Sequence, residues 1–142
     1  MLRDMYNGLE IRRALSPVLR TDDTAQVSQI IDMQGFDALL FAIGTGAIDD
    51  ANVTFVVLVE HGDQANLSDA AAVPDAELVG TEVLAGFQFD DDNETRKIGY
   101  IGAKRYVRLT ITPTGNSANP TGAFLTALAI LGRPHRTPTA TP

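Results

Sequence analysis

Along residues 52–60 (NVTFVVLVE) apolar and polar positions alternate. Val53, Phe55, Val57 and Val59 fall on one side of an extended chain, and Thr54, Val56, Leu58 and Glu60 on the other. A period of two with one strongly apolar side predicts a strand packed on a core. Residues 106–112 (YVRLTIT) repeat the pattern, with Val107, Leu109 and Ile111 inward and Tyr106, Arg108, Thr110 and Thr112 outward. FDALLFAIG, from Phe36, and GAFLTALAILG, from Gly122, are apolar on both sides, as central strands of a sandwich are. Ala and Leu in the second run also suit a helix, but the flanking Gly122 and Gly132 favour a strand. Weaker patterns predict strands over 9–15, 26–33, 82–89 and 97–101. Turn-forming clusters separate them: TDDT, MQG, GTGAIDDAN, HGDQAN, DDDN and TGNSANPTG. Only LSDAAAVPD, 67–75, reads as helical, and Pro74 limits it to a turn or two. The expectation is an all-β chain, a jelly-roll-like β-sandwich of about eight antiparallel strands.

The two ends break the pattern. Residues 1–8 hold Met1, Leu2, Met5 and Tyr6 without alternation and read as an arm that needs a surface to lie on. Residues 132–142 (GRPHRTPTATP) are rich in proline and read as an extended tail with a reach of about 34 Å. The folded body is expected over 9–131.

Composition narrows the functional classes. The 142 residues suit one domain, and the 44% apolar content suits a buried core. The net charge is −7, in blocks: residues 21–94 carry sixteen acids and no Lys or Arg, and residues 95–142 carry seven bases and no acid. Nucleic-acid affinity needs clustered cations, so a net acidic chain is not expected to be a general nucleic-acid binder. With no cysteine, disulfides, thiolate metal sites and thiol nucleophiles are excluded. The longest run of large apolar residues, Phe55 to Val59, is far short of the ~20 that cross a bilayer. The first residues lack an apolar signal core, so a product made in the cytoplasm is expected.

Few groups suggest chemistry. His61 with Asp63 could form an acid–base or metal site, but His61 at a strand end before a Gly-Asp turn reads as a solvated loop histidine. Ser16, Ser28, Ser68 and Ser117 lie in no nucleophile-elbow pattern. Asp90, Asp92 and Glu94 alternate as weak calcium candidates, without the glycine or closing glutamate of a calcium loop. Asp49 and Asp50 read as a loop. No cofactor is expected. Arg96, Lys97, Lys104, Arg105 and Arg108 form a basic cluster that would suit an electrostatic interface with acidic neighbours, within one subunit or between subunits.

Two resemblances rest on particular segments. VLVEHGD, 57–63, with AKRYVRLTI, 103–111, resembles the paired strand signatures of discoidin-type jelly rolls, which often bind glycans or lipid headgroups through loops. More of the chain is similar to a family of small tailed-phage and prophage head proteins, several of which resemble capsid decoration, or cement, proteins. The carriers are Met33-Gln34-Gly35-Phe36-Asp37, the run from Gly99 to Arg108, and Leu131-Gly132-Arg133-Pro134-His135. The turn after Gly62 departs from that pattern, with QANLSDAAA in place of a shorter turn. The resemblance implies a non-enzymatic virion protein on the outer surface of the phage head. It would be a homotrimer clamping neighbouring major capsid proteins, with no membrane or nucleic-acid partner. The arm residues Leu2, Met5 and Tyr6 and the tail residues Arg133, His135 and Arg136 are the expected capsid or subunit contacts, with Arg12 and Arg13 beside them. The alternatives are a glycan-binding virion module and a head–tail joining or tail protein.

Overall fold

A computed structural model describes residues 3–116 and 122–139. The strands are β1 (Glu10–Arg20), β2 (Gln26–Val27), β3 (Ile31–Asp32), β4 (Phe36–Ile48), β5 (Thr54–Gly62), β6 (Ala71–Ala72), β7 (Leu78–Val79), β8 (Phe87–Gln88), β9 (Thr95–Tyr100), β10 (Tyr106–Thr114) and β11 (Ala123–Pro134). A 3-10 turn spans Asp75–Glu77, and a single helical turn, α1, spans Glu82–Ala85. One sheet has the order β1-β11-β4-β9-β7. The other has the order β2-β10-β5-β6, with β3 also on β10 and β8 also on β5. All pairings are antiparallel, and the chain crosses repeatedly between the two sheets, so the fold is a jelly-roll β-sandwich.

The alternating patterns fold as expected. Val53, Phe55, Val57 and Val59 point into the core, as do Val107, Leu109 and Ile111 opposite them. The two runs apolar on both sides, β4 and β11, are neighbours inside the first sheet. Bulk alternates across that pair: Phe41 lies opposite Ala129 and Ile43 opposite Ala127 on the core side. Small residues on β11 therefore leave room for large ones on β4. Pro113 in β10 lies opposite Phe55, beyond the reach of β2, where its missing N–H deprives no neighbouring strand. Edge strand β1 contains Pro17 and two register shifts, which blunt it as a template for further pairing.

Four expectations change. Residues 26–33 form two short contacts with β10 rather than one strand, because Ser28 leaves the ladder: its Oγ accepts from Leu109 N at 3.0 Å. Residues 82–89 begin as α1, not as a strand. Thr81 caps it, its Oγ1 accepting from Leu84 N at 3.1 Å, and Gly86 closes it. Residues 67–75 form no helix. There the Asp69 carboxylate accepts from the N–H groups of Asp63 and Gln64, and Ala71–Ala72 pairs with β5. Finally, β11 runs on to Pro134, so the expected boundary after residue 131 falls inside a strand.

Candidate functional site

The terminal segments meet each other. Asp4 accepts from Asn7 N and Nδ2, closing a turn that leaves Met5 and Tyr6 exposed. Past β11, His135 N donates to Gly35 O at 2.9 Å, and its Nε2 lies 2.8 Å from Asp37 Oδ1. Thr139 is buried: its N–H donates to Asn7 O at 3.0 Å and its hydroxyl to Leu9 O at 2.6 Å. As far as Thr139 the chain after Pro134 is therefore folded back along the body rather than extended away from it. Arg133 and Arg136 are exposed. Leu2 and Ser117 lie outside the described residues. Arg12 turns inward, 2.5 Å from Glu10 and donating to Asp32 O at 2.7 Å, whereas exposed Arg13 donates to Ser16 Oγ at 3.0 Å.

The basic cluster is matched within the chain. Arg96 pairs with Asp91 and Glu94, each at 2.7 Å; Lys104 pairs with Asp63; Arg105 grips Asp32 with two bonds of 2.8 Å; Arg108 pairs with Glu60 at 2.7 Å. The Arg105 bonds hold the Asp32 carboxyl below its ordinary value. Among the described residues only Lys97 of the five lacks an ion pair. Sequence blocks of opposite sign are thus brought together because β10 is laid against β5 and β3.

The weak calcium candidates separate. Asp90 accepts from Gln88 Nε2, Asp92 from Ile48 N at 2.6 Å, and Glu94 from Arg96. Among the described residues no three carboxylate or histidine groups converge on a common metal position. His61 is not a solvated loop histidine: it is buried, its Nδ1 3.0 Å from Tyr100 Oη and 3.5 Å from Glu77 Oε2. The Asp63 carboxylate instead holds Lys104. Tyr100 Oη in turn accepts from Lys104 N at 3.1 Å, and burial pushes its phenol up to about 12. The glutamate that completes this cluster enters from the 3-10 turn, a contact that no spacing in the sequence signals.

The three segments that carry the head-protein resemblance converge at one end of the sandwich. Gln34, Phe36, Asp37, Lys104, Arg105 and His135 are among the walls of an open cleft of about 540 Å³. Its floor and rim mix apolar and charged groups.

Two exposed apolar surfaces were not anticipated. The outer face of the first sheet carries a row Ile11–Ile130–Leu40–Gly99–Val79 across all five strands. Ile11 is 54% exposed and Val79 57%. Leu19 and Phe124 form another exposed pair on the same face. By contrast, the outer face of the second sheet sets Thr110, Thr112 and Arg108 beside Leu58, Val56 and Glu60. The second apolar surface surrounds α1, where Val83 is 87% and Leu84 71% exposed, with Val56 and Phe89 also open. The signal for the first surface was present: β4 and β11 are apolar on both sides, and only one side can face the core.

No protein-family model matches the chain, and no curated protein does. Among solved structures it is similar to the SPBc2 prophage-derived protein YomS, at 12% identity over 87% of this chain and 91% of that one, with a TM-score of 0.48. The xylan-binding module CBM15 matches at 12% identity over 94% and 95% of the two chains, with a TM-score of 0.38. The CBM22-1 and GH10 modules of Clostridium thermocellum xylanase 10B match at 12% identity over 96% of this chain and 28% of that one, with a TM-score of 0.43. The sheet order and registers, not these likenesses, establish the fold.

Proposed function

We propose that this chain is a structural, non-enzymatic protein of a phage head, a decoration or cement protein that docks on the outside of the shell and bridges neighbouring major capsid proteins. The observation that carries the reading is the outer face of the first sheet. A continuous apolar row across five strands is costly in water, at about 25 cal/mol per Å² of exposed apolar surface, and marks a surface for protein contact. The likeness of three sequence segments to head proteins supplies the kind of partner. Those segments gather at one cleft, which gives a docking surface a polar rim beside its apolar centre.

The test is to mix the purified chain with heads that lack it, pellet the heads and reconstruct them. The chain is expected in the pellet, as regular density on the outer surface. A chain that stays in the supernatant overturns the reading. The alternative, a glycan-binding virion module, would use the cleft, where Asp37, Lys104 and His135 could take hydroxyl groups. Saturable oligosaccharide binding lost in Lys104→Ala, together with no affinity for heads, would decide for that alternative.

A further inference from the structure

The outer face of the first sheet carries no acid, although the chain holds 18 acids against 11 lysines and arginines. The side chains that alternate outward along β1, β11, β4, β9 and β7 are apolar, small or hydroxylic, apart from Arg13 and Lys97. These two cations close the ends of one register line, Arg13–Leu128–Ala42–Lys97. Three strand spacings of ~4.8 Å set their backbones about 14 Å apart. Both are exposed, and neither has an ion pair among the described residues; Arg13 donates only to the Ser16 hydroxyl. Acids at the strand ends are engaged elsewhere: Glu10 is paired with Arg12, Asp22 with Arg20 and Glu94 with Arg96. On the outer face of the second sheet, by contrast, Arg108 is neutralised in place by Glu60 on the adjacent strand.

The same face has a notch. A cavity of about 160 Å³ opens among Pro17, Gly44, Gly46, Phe124 and Thr126. Two residues without side chains keep it clear: a Cβ on Gly46 would press on Phe124 Cβ at 2.8 Å. It has room for one branched aliphatic side chain, the kind of anchor that seats a protein contact. At ~4.8 Å between strands and ~3.3 Å per residue, the paired parts of β1, β11, β4 and β9 present about 500 Å² of face. One side of a standard protein–protein contact covers about 800 Å², so this face supplies more than half of one. A single extended segment would leave much of it wet, whereas a folded surface would cover it.

We infer that the outer face of the first sheet binds an acidic patch on a folded protein surface: apolar at its centre, with an aliphatic side chain for the notch and carboxylates placed to meet Arg13 and Lys97. Apolar burial supplies the affinity. The two cations supply selection, because a partner with basic groups at those places would be repelled. A second copy of the same face does not fit, since it brings two more cations and no acid. This inference rests on the reading that the face docks on the shell, and it adds what the shell presents there.

The experiment titrates heads that lack the chain with purified protein at low and high salt and measures what pellets. Arg13→Gln with Lys97→Gln removes the two cations. Thr112→Glu with Thr114→Glu lowers the net charge equally, but on the second sheet. The first pair of changes is expected to weaken binding about tenfold at low salt, with the difference shrinking at high salt as the charges are screened. The second pair is expected to leave binding unchanged, and Arg13→Lys with Lys97→Arg to restore it. Unaltered chain that pellets no better than the Gln variant overturns this inference and keeps the head reading. Unaltered chain that stays in the supernatant overturns the head reading and this inference with it. A free chain that sediments as an oligomer dissociated by Leu128→Asp gives the face to a second copy, and overturns the inference. Binding to phosphatidylserine vesicles that the Gln variant loses, without affinity for heads, gives it to lipid and does the same.

Discussion

At Tyr100 burial and hydrogen bonding act in opposite directions on one phenol. Burial raises its pKa from 10.0 to about 12, while the Lys104 N–H works the other way. An unfolded tyrosine ionises first, so the stabilisation is complete below about pH 10 and is lost as pH rises towards about 12. Tyr100→Phe should remove this alkaline loss in urea titrations at pH 7 and pH 11. At neutral pH it should cost about 1–2 kcal/mol, because Lys104 N–H and His61 lose a buried partner. Asp32 has the opposite sign. Its folded pKa is depressed, so its contribution is present above the unfolded value and lost as pH falls through the folded one. Asp32→Asn should therefore flatten the acid limb of the stability curve. Gly102 is needed for space: a Cβ there would overlap the Glu77 carboxylate and the Tyr100 hydroxyl. Gly102→Ala should cost about 1–3 kcal/mol by denaturant unfolding. None of these roles was legible in the sequence, since Glu77 meets Tyr100 and Gly102 only when β7 is paired with β9 at the edge of the first sheet.

Among the elements, legibility followed length. The long strands β4, β5, β10 and β11 repeat their period over enough residues for the local pattern to decide their structure. The two-residue strands could not be read, because each owes its form to a neighbour: Ala71–Ala72 extends only because His61 and Glu60 offer an edge. The α1 turn did carry local signals, Thr81 at its start and Gly86 at its end, but four apolar residues spaced through 82–89 imitate a strand. The last segment behaves as part of the body. Thr139→Val should remove the hydroxyl bond to Leu9 O, cost about 1 kcal/mol and loosen the N-terminal turn, visible as faster hydrogen exchange there.

For the molecule as a whole, the in-chain ion pairs reduce what salt can do. Exposed pairs such as Arg105–Asp32 and Lys104–Asp63 are screened by the surrounding solvent and contribute little. Folding stability should therefore change little with salt. Denaturant unfolding at two ionic strengths checks this. The charge blocks therefore bear less on stability than their size suggests.

The sequence by itself determined the fold class, the core-facing side of the alternating strands and the exclusion of thiol chemistry. Those properties are local, set by a period of two along one strand or by which residue types are present. Tertiary structure alone decided that His61 is buried, that the bases of β9, β10 and the loop between them meet acids from β3, β5 and the loops, and which apolar side of β4 and β11 is left facing water. Each of these depends on the strand laid alongside. That neighbour often lies many residues away, and the pattern within a strand carries no record of it.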